Sequence, residues 1–181
     1  MNLSQEYKKP IGYNKEGRFV YLKEDNGSVG LTSIPPELKE KLSSLYAYLS
    51  KRLGIKETPK VTLTQNEQNS EQPFGLTGYY DHQTKTIRVY ITNRHDTDVL
   101  RSFAHEVIHH WQNLRGTLHP EEKSQNPVTH QTNPHYAQHD TWLRKREMEA
   151  YLFGNILFRD WQDENRSGPP KTQPFLPQPY D

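Results

Sequence analysis

This chain has nine histidines and no cysteine, so any metal ion it binds must be held by imidazoles and carboxylates, not thiolates. Five consecutive residues, His105-Glu106-Val107-Ile108-His109, combine both kinds of group. On a helix, histidines four residues apart are a little over one turn apart, so both rings leave the same face and can share one ion. Two neutral imidazoles and a carboxylate suit zinc and leave a fourth position for water. Glu106, beside the first histidine, is then placed to take a proton from that water as general base.

The flanking residues predict the helix this chemistry needs. Asp96 or Thr97 can serve as N-cap, the helix runs from Asp98 to Arg115, and Gly116 follows its end. Leu100, Phe103, Ala104, Val107, Trp111 and Leu114 form an apolar arc. At about 100° per residue the arc centres roughly opposite the two histidines, which are therefore expected to face a cleft.

The third ligand is expected from a last helix, about Thr141 to Asp163, where Glu147 and Glu149 compete. Ala150 and Gly154 are small and lie on the Glu147 side of the helix. They would let it approach the histidine helix closely, which favours Glu147 and leaves Glu149 as the alternative ligand. Between the two helices, Thr117 to Asp140 is a long loop rich in Pro, Asn, Gln and His. His135, Tyr136 and His139 within it are candidates to donate to the oxyanion of a tetrahedral intermediate.

Upstream, Arg18 to Leu22 reads as a strand, Asp25-Asn26-Gly27 as a turn and Ser28 to Leu31 as a return strand, making residues 1–34 an N-terminal hairpin arm. Pro35-Pro36 opens a helix striped by Leu38, Leu42, Leu45, Leu49 and Leu53 and ended by Gly54. Val61 to Thr64 is a short strand, Gln65 to Gln72 a polar loop, and Tyr79 to Ile91 two strands joined at Asp81-His82. Residues 35–163 form the expected domain, and 164–181 a proline-rich tail that cannot be helical.

Together these residues resemble the small gluzincin metallopeptidases, in which a His-Glu-x-x-His helix is followed by a helix carrying a glutamate ligand. In several such families the second helix reads Glu-x-x-Ala-Asp or Glu-x-x-Ala-Asn, followed by x-Phe-Ala. Here Glu147-Met148-Glu149-Ala150-Tyr151-Leu152-Phe153-Gly154 matches, with Glu147 in the ligand place. Tyr151 departs from that pattern, standing where those families usually have an Asp or Asn that orients a metal-bound histidine. Tyr151 itself or another residue must then supply that support. Gly78-Tyr79-Tyr80-Asp81 and the strand Ile87 to Ile91 resemble the edge-strand region before the active-site helix of many small zincins.

The resemblance implies an α+β, zincin-like fold with a small twisted sheet on the active-site helix. It also implies one zinc ion on His105, His109 and Glu147, and a metalloendopeptidase that hydrolyses peptide or protein substrates. A second resemblance, to SprT-like proteases, would recruit a histidine as third ligand from His119, His130, His135 or His139. The Gly-His-Gly-like surroundings and basic tail of that group are absent. The metzincin pattern fails because Arg115 stands where it requires a third histidine. A catalytically silent zincin-fold binding or assembly protein is the remaining alternative.

Composition narrows the partners. A net charge of +1, with no Lys/Arg-rich block, argues against nucleic-acid or anionic-membrane binding driven by charge. No apolar run is long enough for a transmembrane helix or a signal-peptide core, which favours a cytoplasmic location.

Overall fold

The computed structural model describes residues 34–118 and 141–165 in full and residues 21–26 as backbone. Ser28 to Leu31, the loop histidines 119, 130, 135 and 139 with Tyr136, and the tail from 166 lie outside the described residues.

The fold is mixed α and β. Strands β1 (Tyr21–Asn26), β2 (Lys60–Gln65), β3 (Gly78–Asp81) and β4 (Thr86–Tyr90) form a sheet in the order β1-β2-β4-β3. β1 and β4 flank β2 in parallel, whereas β3 pairs antiparallel with β4 through a turn over residues 82–85, with Asp81, expected at the junction, paired to Thr86 in the strand. The helices are α1 (Pro36–Leu53), α2 (Glu67–Ser70), α3 (Asp96–Leu114) and α4 (Thr141–Asn165). No helix among the described residues is long and apolar enough to cross a membrane.

Three local expectations are corrected. Asp25 and Asn26, expected in a turn, are strand residues that pair with Thr64 and Gln65 of β2. The β propensity of a residue yields readily to pairing with a neighbouring strand. The polar loop after β2 contains α2, whose N-cap Asn66 accepts from the Asn69 backbone N–H at 2.9 Å. The N-cap of α3 is His95, whose Nδ1 accepts from the Thr97 N–H at 3.3 Å. Asp96 instead occupies the first turn, where a carboxylate favours the helix dipole, and pairs with Lys41 of α1 at 2.7 Å.

α3 is the central element, packed on β3 and β4 on one side and against α1 and α4 on the others. The α1 leucine stripe is buried as its spacing predicts, and Gly54 at φ 66° ends that helix. Ile87 and Val89 of β4, Phe103 and Val107 of α3, and Leu157 of α4 meet in one core. A buried polar network also ties α3 to the sheet. His110 Nε2 donates to the Glu57 carbonyl at 2.7 Å, so its Nδ1 accepts from the Tyr80 hydroxyl at 2.9 Å. Asn113 donates to the same hydroxyl at 2.9 Å and to the His82 carbonyl at 3.0 Å.

Candidate metal centre

α3 and α4 lie close because Gly154 has no side chain. A Cβ there would stand 3.2 Å from both the backbone N and the Cα of His105. Ala150, one turn earlier, is fully buried in the same seam. This approach brings the α4 carboxylate to the α3 histidines. Glu147 Oε2 is 3.3 Å from His105 Nε2, Glu147 Oε1 is 3.2 Å from His109 Nε2, and the two Nε2 atoms are 3.1 Å apart.

Among the described residues, His105, His109 and Glu147 form the group whose donor atoms converge closely enough to hold a metal ion. An ion about 2.0–2.1 Å from each of two imidazole nitrogens in tetrahedral geometry sets those nitrogens roughly 3.3–3.4 Å apart, close to the observed spacing. The atoms' polarity agrees. The Gln112 amide nitrogen donates to both Glu149 and the Arg146 carbonyl, so its Oε1, 2.9 Å from His109 Nδ1, is an acceptor. Nδ1 therefore carries the proton, and in the neutral ring Nε2 offers a lone pair toward Glu147. Two acceptors 3.2 Å apart need a cation or a proton between them.

The electrostatics follow from burial. Desolvation lowers the pKa of His109, but the charge and hydrogen bond of Glu147, the charge of Glu106 and the hydrogen bond to Gln112 outweigh it and hold the ring near about 9. Burial raises the Glu106 carboxyl to about 8, with His109 opposing the shift and Glu147 adding to it. Glu106 is 5% exposed, and its Oε2 has no hydrogen-bond partner among the described residues. The carboxylate lies against β3, where a Cβ on Gly78 would stand 3.2 Å from Glu106 Oε1.

Of the two histidines expected to face a cleft, His105 is partly exposed and His109 is buried. His109 is 2% exposed, on a helix that packs against α4. Glu149 is kept from the cluster by Gln112 at 2.7 Å and by Arg146 at 3.1 Å, with which it forms a buried ion pair. Tyr151 is 63% exposed, and its ring packs on His105 at a centroid distance of 4.6 Å. The support for His109 comes from Gln112, which the sequence reading did not single out. Its signal was available, since a glutamine three residues past His109 shares that helix face. His135, Tyr136 and His139 lie outside the described residues.

No family model, curated protein or solved structure matches this chain.

Proposed function

We propose that this protein is a zinc-dependent peptidase of the gluzincin type, with a zincin-like fold, in which His105, His109 and Glu147 hold the ion and Glu106 is the general base. The observation that carries the reading is the convergence of two imidazoles from α3 and one carboxylate from α4, with the Glu106 carboxylate buried beside them. The donor set, two neutral nitrogens and one carboxylate oxygen, is that of a catalytic zinc site with an open position.

When bound, zinc supplies Lewis acidity to a carbonyl oxygen and to the attacking water. Glu106 takes one proton from the water as its oxygen adds to the scissile carbon, and returns it to the amine as the C–N bond breaks. Its buried surroundings keep that proton from exchanging with bulk solvent during the reaction. β3 ends the strand order among the described residues, and its outer edge is the one that would align an extended peptide by backbone hydrogen bonds. Gly78 on that strand lets the Glu106 carboxylate pack close against β3, since a Cβ there would stand 3.2 Å from Oε1.

The test is hydrolysis of an unfolded generic protein substrate with and without chelator. Cleavage should be lost with chelator and restored by zinc. The Glu106→Gln variant should keep zinc affinity near wild type while its turnover falls by at least about 10²-fold. Chelator-insensitive cleavage, or full activity in that variant, contradicts the mechanism. Zinc binding without cleavage of any substrate would make the protein a silent binding module.

A further inference from the structure

Gln112 lies nearly one turn beyond His109 on α3 and is fully buried. Its side-chain amide has two hydrogens, and both are used. Nε2 donates to Glu149 Oε2 at 2.7 Å and to the Arg146 carbonyl at 2.9 Å. Oε1 is therefore the atom turned toward His109 Nδ1, 2.9 Å away. Reversing the amide would set its oxygen against a carboxylate and a carbonyl where no water can compensate. Glu149 is itself fixed, since Arg146 one turn before it donates to the same oxygen at 3.1 Å and both side chains are inaccessible to solvent. The orientation of a ring on α3 is thus dictated by groups on α4.

We propose that Gln112 is a positioning residue for the metal centre, its amide locked by Glu149 and the Arg146 carbonyl so that His109 keeps its Nδ1–H tautomer and presents Nε2 to the ion. The inference rests on the metal-centre reading above and extends it. α4 contributes twice, with Glu147 as ligand and, two residues on, Glu149 as anchor of the group that orients a ligand on the other helix. Tyr151 is exposed and its ring lies tilted against His105, the other histidine. A hydrogen bond to the distal nitrogen of a metal-bound imidazole fixes both ring plane and tautomer, and its loss weakens metal binding.

Zinc affinity is measured by competition with a chromogenic chelator, with no substrate present. Gln112→Met keeps the length of the side chain and removes the accepting oxygen. It should bind zinc about ten- to a hundred-fold more weakly than wild type. Equal affinity in a variant with wild-type circular dichroism overturns the role of Gln112 alone. A wild type that binds no zinc overturns the metal centre and this role with it.

If Gln112→Met does not fold, the zinc-loaded wild type decides the matter. Long-range ¹H–¹⁵N spectra, with His109 assigned by comparison with His109→Gln, should show a protonated Nδ1 and a metal-bound Nε2. Metal on Nδ1, or a proton on Nε2, rejects the proposal.

Discussion

A neutral His109 and an ionised Glu147 present acceptors to each other at 3.2 Å, so a metal-free site must place a proton where the ion would lie. This gives the site a pH signature. The folded pKa of His109, about 9, exceeds its ordinary 6.5, and that of Glu106, about 8, exceeds its ordinary 4.5. In both cases the folded chain holds more protons than the unfolded one between those values. The stabilisation from each group is complete below its ordinary pKa and is lost as pH rises through the folded one. The Tm of chelator-treated protein should therefore fall between pH 6 and pH 9, and Glu147→Gln should flatten the slope. Zinc displaces the same proton, so its affinity should rise across that window. Zinc titrations at pH 6, 7 and 8 that give one affinity would contradict the protonated cluster.

Among the elements, the seam between α3 and α4 and the contact of α3 with β3 hold the site. Gly154→Val would push branched carbons into the His105 backbone, which the sheet prevents from retreating. Overpacking of this kind costs about 1–3 kcal/mol, and because it moves Glu147 away from the histidines, zinc affinity should fall with it. Urea unfolding and chelator competition on the same variant check both effects. On the sheet side, burial raises the Tyr80 hydroxyl to about 12, so it remains a donor to His110 at any physiological pH. Tyr80→Phe leaves the buried His110 Nδ1 without its donor and removes an acceptor from Asn113, at a cost of about 1–3 kcal/mol in urea unfolding. Unchanged stability in that variant would mean the network adds nothing to the seating of α3.

At the scale of the molecule, the helices that carry His105, His109 and Glu147 belong to the same core as the sheet and α1. An ion bound across α3 and α4 should therefore stabilise the whole domain and not one loop. With free zinc at a hundredfold excess over Kd, linkage gives about 2.7 kcal/mol of added stability in a single transition. Calorimetry with and without zinc measures this, and His109→Ala should abolish the increment. A second, zinc-insensitive transition would show instead that the helices unfold apart from the sheet.

Much of the site could be read from sequence because a helix imposes its own period. His105 and His109 had to share a face once the apolar residues around them repeated at helical spacing. The small residues Ala150 and Gly154 on the Glu147 side of α4 likewise pointed to a close helix approach, which is where the cluster lies. What lies across a seam depends on how two helices are rotated against each other, and neither helix encodes that alone. Glu149 stood as the alternative ligand and Gln112 was not singled out, because only the docking of α3 on α4 buries both and forces each to satisfy the other. The covering of His109, the pairing of β1 with β2 in place of a turn, and the bond from Tyr80 to His110 have the same origin. Local periodicity set which way side chains leave their own element, and only long-range packing decided what they meet.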